Sequence, residues 1–298
     1  MNKYGIVVLN YLNYEDTIEC LDTIRDQTFK DIPIVVVDNG SQNGSVPAIE
    51  KAITKYKNIF FIKSSTNLGF AKGNNLGINY LREQLDVDNI FLCNNDLVFS
   101  DSNYLEQLVS LKIPDDVGAI GTAIIGKQGF DQNPLSEKTS EKDLTELVNN
   151  YEHPDLKEKI KQMLYKNFGD QISKIKHMKK SKVIKNEETV VLSGKDYLHG
   201  SAILLTKNYF QKFPGLYPKT FLYGEEIILK VLFEKAGLKM LYVPELVINH
   251  KEDKSSALSF VNRANIVNKY RYEGNKIVLQ VYGKSLSDIQ ADFSEVGE

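Results

Sequence analysis

Apolar residues in the first 125 positions come in two alternating spacings. Short β-branched runs close with polar residues: YGIVVLNY (4–11), DIPIVVVDNGS (31–41), NIFFIKS (58–64), DNIFLCNND (88–96) and VGAIGTAII (117–125). Runs of this length, bounded by turn residues, predict strands buried on both faces. Between them the spacing lengthens to that of a helix. EDTIECLDTIRDQ (15–27) sets Ile18, Leu21 and Ile24 on one stripe, and VPAIEKAITKY (46–56), AKGNNLGINYLREQL (71–85) and SNYLEQLVSLK (102–112) follow suit. Strand alternating with helix predicts right-handed βαβ crossovers and an α/β, Rossmann-like, mostly parallel sheet flanked by helices.

Beyond Ile125 the pattern changes. GKQGFDQNPLSEKTSEKD (126–143) is loop-like, and the stretch to about Val190 is rich in lysine and helical in pieces. Residues 126–190 read as a lysine-rich helical insertion or lid within one domain spanning 1–256. YLHGSAILLTKNYFQKF (197–213) returns to strand then helix. FLYGEEIILKVLFEKAG (221–237) is a turn feeding a helix closed by Gly237, and KMLYVPELVINH (239–250) is a strand kinked at Pro244. Residues 257–298 form a C-terminal helical tail, with a helix expected over 259–274.

Net charge is −2, so no overall basic character points to nucleic acid as a partner. The two cysteines, Cys20 and Cys93, belong to no metal or redox spacing and read as reduced core thiols. No stretch approaches the roughly 20 apolar residues of a spanning helix, which suggests a cytoplasmic protein. Lysines 157, 159, 161, 166, 174, 176, 179, 180, 182 and 185 allow two readings, a solvated helical face or a peripheral contact with anionic lipid.

Ligands of parallel sheets gather at the carboxyl ends of the strands. Asn10, the pair Asp38 and Asn39, and the triplet Asn94, Asn95 and Asp96 all fall there. Asp38 suits a ribose or base contact, or else a turn that caps the next helix. TNLGFAKGNNLG (66–77) suits a nucleotide contact at a helix start, or a plain glycine-rich turn; it lacks the GK[ST] of a phosphate-binding Walker loop. Asp96 is a lone carboxylate among amides, compatible with Mg²⁺ or Mn²⁺, though the residues alone favour an Asx turn. Glu225 and Glu226 either favour the dipole of the helix they open or raise each other's pKa for proton abstraction. Among the four histidines, His250 closes a strand, His199 opens one, and His153 and His177 lie in the lysine-rich stretch.

In order, VLNYLNYEDTIECLDTI, VVVDNGSQNGS, NLGFAKGNNLGI with FLCNND, and FLYGEE…EKAG…VPELVINH resemble family 2 glycosyltransferases, inverting enzymes of the GT-A fold, and within them the bacterial rhamnosyltransferase-like branch. The resemblance runs from Gly5 to about Ser256. It implies that Asp38 contacts the nucleobase or ribose with Asn10 and Asn39 beside it. It implies that Gly69 and Asn74 lie by the nucleotide, and that Asn94, Asn95 and Asp96 replace the family's DxD. Asp96 and His250 would then hold Mn²⁺ or Mg²⁺, and Glu226, next to Glu225, would be the catalytic base. The implied partners are a UDP- or dTDP-linked sugar and a glycan or lipid-linked acceptor in polysaccharide assembly. The chain departs from the family at Asn94, at Glu226 (usually Asp), and at Ile228 and Leu232 (usually Asp and Arg). Those departures keep open a sugar-nucleotide-binding protein with weakened catalysis. A nucleotidyltransferase would carry a glycine- and arginine-rich loop after its first strand, where this chain has LNYLNYEDT.

Overall fold

In the computed structural model, which describes residues 3–137, 139–155, 188–252 and 263–294, each apolar run of the first 125 residues contains a strand. β1 (Tyr4–Asn10), β2 (Ile34–Asp38), β3 (Ile59–Lys63) and β4 (Asn89–Asn94) pair in parallel in the order β3-β2-β1-β4. Helices α1 (Tyr14–Arg25), α2 (Ser45–Ile53) and α3 (Gly69–Leu85) connect them. Side chains of a strand alternate between faces, so an unbroken apolar run serves two cores. Val7, Val35 and Val37 pack with Ile78 and Leu81 of α3, while Ile6, Val8, Ile34 and Val36 pack with Leu21, Ile24 and Ile49 of α1 and α2. Cys20 and Cys93 are free and buried in the second of these cores, their Sγ atoms 3.7 Å apart.

The chain then leaves β4 through β5 (Leu97–Val98), α4 (Tyr104–Ser110), β6 (Val117–Ile125), β7 (Leu135–Ser136), α5 (Glu141–Glu152), β8 (Val190–Val191), β9 (Asp196–Tyr197), β10 (Ala202–Leu205) and the short α6 (Lys207–Phe210). It ends with α7 (Glu225–Ala236), β11 (Lys239–His250), α8 (Arg263–Gly283) and α9 (Leu286–Ser294). The main sheet continues past β4 as β10-β6-β11-β5, with β8 also pairing β11. β10 is antiparallel to both its neighbours, and β11 is parallel to β6. The kink expected at Pro244 is a register shift between Val243 and Val247, where β11 slips against β6 and resumes. Gly237, at φ +67, closes α7.

The lysines from 157 to 185 lie outside the described residues. The described part of the tail packs onto the sheet domain: Val278, Val281 and Ile289 join Ile228 and Leu232 in one core. Asp292 fastens its end. Burial pushes that carboxyl up, but hydrogen bonds from Lys219 and Lys284 (both 2.6 Å) and from Tyr217 bring it down to about 2. Among the described residues no helix is long and apolar enough to cross a membrane.

Candidate active site

The polar residues that end β1, β2 and β4 form one buried network. Asn10 Nδ2 donates to Asp38 Oδ1 at 2.7 Å, and Asn10 Oδ1 accepts from Thr17 Oγ1 at 2.8 Å. Asn95 Nδ2 donates to Thr17 Oγ1 at 2.9 Å and to the Asn13 carbonyl at 3.0 Å. Asp38 Oδ2 accepts the Ser41 amide N–H at 3.0 Å. Buried polar groups without partners are costly, so a network this complete fixes the aspartate's orientation. Thr17 and Ser41 complete it, and only their place beside polar turns hints at them in the sequence.

Asn39 ties the glycine-rich loop to this edge. Its Nδ2 donates to Asn67 Oδ1 and the Gly69 carbonyl, and its Oδ1 accepts the Leu68 amide N–H, each at 3.0 Å. Gly69 has φ +81, and a Cβ there would sit 2.1 Å from the Phe221 carbonyl oxygen. That oxygen accepts the Phe70 N–H at 2.8 Å, so the glycine lets the loop grip the segment leading to Glu225 and Glu226. Asn74 is buried within α3, and its amide donates back to the Phe70 carbonyl at 3.0 Å.

Asp96 and His250 meet because β5 pairs with the end of β11, His250 opposite Leu97, and the Lys251 N–H bonds the Asp96 carbonyl at 2.9 Å. Asp96 Oδ1 lies 3.2 Å from His250 Nε2, yet this buried oxygen has no hydrogen-bond partner among the described residues. The other ring nitrogen explains the pairing. Gln132 Nε2 donates to Glu252 Oε1 at 2.6 Å, which turns Gln132 Oε1 toward His250 Nδ1, 2.7 Å away. Nδ1 therefore carries the proton, and in the neutral ring Nε2 presents a lone pair to a carboxylate lone pair. A cation shared by the two would satisfy both lone pairs. Donors bound side by side to an octahedral Mg²⁺-like ion at about 2.1 Å lie about 3 Å apart, so the pair fits a divalent ion. Among the described residues no group of three or more His, Cys, Asp or Glu side chains could hold a metal ion; two protein ligands plus substrate phosphates is the Mg²⁺ habit. Gln132, which orients the histidine, carries no sequence signal.

His199, Gly200 and Ser201 bridge this pair to the glutamates. The His199 ring lies 5.9 Å from that of His250, and its Nδ1 accepts the Ser201 N–H at 3.2 Å. Burial lowers its pKa to about 4, so it is neutral. The Ser201 carbonyl accepts the Asn94 N–H at 2.8 Å, while Gly200 packs against the Glu226 carboxylate, where a Cβ would lie 2.6 Å from Oε1. Asn94, Asn95 and Asp96 thus stand where β4, β10 and β11 converge: one amide joins the Asn10 network, the carboxylate faces His250, and the backbone leads to Glu226.

Both glutamates open α7 and are half-buried. Burial raises the pKa of Glu226. Burial and then the Glu226 charge raise that of Glu225 to about 7. A folded-state pKa above the ordinary 4.5 means that the native state holds the proton more tightly, so Glu225 costs stability progressively as pH rises from about 4.5 to 7. Glu225→Gln fixes the neutral form. It is expected to leave the melting temperature near wild type at pH 5 and to raise it at pH 8, by an effect on the order of 2 kcal/mol. Melting curves at the two pH values check this; equal shifts at both would show that Glu225 titrates as an ordinary glutamate.

The family described as Glycosyl transferase family 2 matches residues 5–186. Among curated relatives, the teichoic acid poly(glycerol phosphate) polymerase of Staphylococcus epidermidis is 35% identical over 79 residues, covering 26% of this chain and 11% of the polymerase. The low-salt glycan biosynthesis hexosyltransferase Agl10 of Haloferax volcanii is 24% identical over 141 residues, covering 47% of this chain and 43% of the transferase. The chain therefore spans less than half the length of these relatives. Among solved structures, the mannosyltransferase PcManGT from Pyrobaculum calidifontis, in complex with GDP-Man and Mn²⁺, aligns over 99% of this chain and 76% of its own, with a TM-score of 0.53 and 12% identity. That likeness is one of fold, the GT-A arrangement.

Proposed function

The chain belongs to glycosyl transferase family 2, and we propose that it moves a sugar, with inversion, from a nucleoside-diphosphate sugar to a hydroxyl of a glycan or lipid-linked acceptor. One observation carries the reading. Asp38, Asp96, His250 and Glu226, scattered over the chain, lie along one rim of the sheet: Asn10 and Asn95 link Asp38 to the residue beside Asp96, His250 lies 3.2 Å from Asp96, and His199, its ring 5.9 Å from that of His250, precedes the Gly200 that packs on Glu226.

Each residue has a task there. Asp38, held by Asn10 and the Ser41 N–H, presents its remaining lone pairs to a hydroxyl or N–H of the nucleoside. The loop fastened by Asn39 and Gly69 lies at the same edge. Asp96 and His250 would hold Mn²⁺ or Mg²⁺, which supplies positive charge against a diphosphate leaving group. Glu226 takes the proton from the acceptor hydroxyl as its oxygen bonds to the anomeric carbon. The bond from that carbon to the diphosphate breaks, and the nucleoside diphosphate departs with the electron pair. A single displacement inverts the anomeric centre. Burial of Glu226 strengthens it as a base, which favours transfer over donor binding alone.

The donor class is UDP- or dTDP-linked sugar. A thermal-shift panel of UDP-, dTDP- and GDP-sugars with Mn²⁺ and with chelator tests donor and metal together. One nucleotide class is expected to stabilise the protein in Mn²⁺ by about 2.7 kcal/mol at a hundredfold excess over Kd, seen as a raised melting temperature, and to lose that effect with chelator. A panel with no shift in either condition would sink the reading.

A further inference from the structure

The tail helix closes one wall of the glutamate site. α8 crosses the start of α7 at two glycines. A Cβ on Gly274 would lie 2.3 Å from the Tyr223 carbonyl oxygen, and one on Gly224 would lie 3.4 Å from the Gly274 carbonyl carbon. Only backbone against backbone permits this approach. Phe221 packs on Tyr270 of the same helix, ring centroids 5.1 Å apart. Three residues before Gly274, Arg271 reaches over Tyr223, its guanidinium carbon 5.3 Å from the ring centroid. Tyr223 itself is held at φ +69, a left-handed backbone that costs a non-glycine residue about 1 kcal/mol. Such strain is kept where surrounding structure enforces it, commonly at functional sites.

Arg271 differs from its neighbours. Lys269 lies 3.7 Å from Glu273, Lys276 lies 3.7 Å from Glu152, and Lys284 lies 2.6 Å from Asp292. Arg271 is exposed and, among the described residues, has no carboxylate within ion-pair distance. Its guanidinium lies over the ring of Tyr223, the residue that leads through Gly224 into Glu225 and Glu226. A guanidinium laid over an aromatic face keeps its N–H edges free to grip an oxyanion with two parallel hydrogen bonds.

We propose that Arg271 binds an oxyanion of the acceptor, a phosphate or carboxylate carried close to the hydroxyl that Glu226 deprotonates, so that the protein selects anionic acceptors over neutral glycans. This rests on the transferase reading and adds to it the chemistry of the acceptor. It also assigns a role to a residue outside the stretch matched by the family.

The test titrates the full chain with three oligomers of equal length: glycerol phosphate, hexuronate and neutral hexose. At low salt, one anionic oligomer is expected to bind the wild type, and the neutral one to bind more weakly. Arg271→Gln is expected to lose at least about tenfold in affinity for that oligomer, the usual consequence of removing a charged hydrogen-bonding partner, at an unchanged melting temperature. Arg271→Lys should recover part of the loss, since it keeps the charge without the fork. Whichever anionic oligomer binds identifies phosphate or carboxylate as the group. Equal binding by wild type and Arg271→Gln, or equal binding of neutral and anionic oligomers, would overturn the proposal. The nucleotide-sugar panel on the same wild-type preparation separates the two readings. Donor binding without any oligomer binding overturns the role of Arg271 and leaves the transferase standing; absence of donor binding overturns both.

Discussion

Glu226→Gln is expected to lower transfer by about 10²–10⁴-fold while leaving nucleotide-sugar binding intact. Glutamine keeps the shape and the packing against Gly200. What disappears is the proton acceptor. The substitution also removes a charge whose burial is unfavourable, so the variant's melting temperature should equal or exceed that of wild type. Single-turnover transfer, read beside donor affinity, separates lost chemistry from lost binding. The raised pKa adds a signature: the acid limb of the wild-type rate profile should lie above pH 4.5, the ordinary glutamate value. Normal transfer by Glu226→Gln would hand the role to Glu225, whose carboxyl also opens α7.

Asp96→Asn should produce an opposite pair of effects on stability and function. Without metal, the new amide can donate to His250 Nε2, which replaces a contact between lone pairs by a hydrogen bond. The melting temperature in chelator is therefore expected to match or exceed that of wild type. The turn should persist, because asparagine favours it and the Asp96 carbonyl that accepts the Lys251 N–H is backbone. With Mn²⁺ present, the nucleotide-sugar thermal shift of wild type should vanish. Transfer should fall by about 10²-fold or more, since losing an ion that stabilises a leaving diphosphate removes several kcal/mol from the transition state. A variant that keeps its Mn²⁺-dependent shift would remove Asp96 from the ion site.

These two residues also show how differently parts of the site could be read. Asp96 stands at the end of an apolar run, so its position at the working edge of a parallel sheet follows from periodicity alone. Its approach to His250 does not. That meeting depends on β5, only two residues long, pairing with β11 about 150 positions later. A two-residue strand has no periodicity to detect. Gln132, which sets the histidine tautomer, sits in an irregular loop whose composition suggests only a turn. β10 is a similar case. Its apolar run predicts a strand, but nothing local says that it enters antiparallel between β4 and β6 and delivers Gly200 to Glu226.

By itself the sequence determined the parallel half of the sheet, the helices that cover it and the polar termini that line its edge. Those features come from spacing of apolar side chains and from turn chemistry, which act over a few residues. The tertiary structure alone decided which polar termini share partners, which histidine nitrogen faces Asp96 and that Arg271 lies over Tyr223 at the entry to α7. Those outcomes depend on satisfying buried polar groups across long stretches of chain, and on close backbone packing at Gly69 and Gly274. Such requirements exist only once the elements have docked.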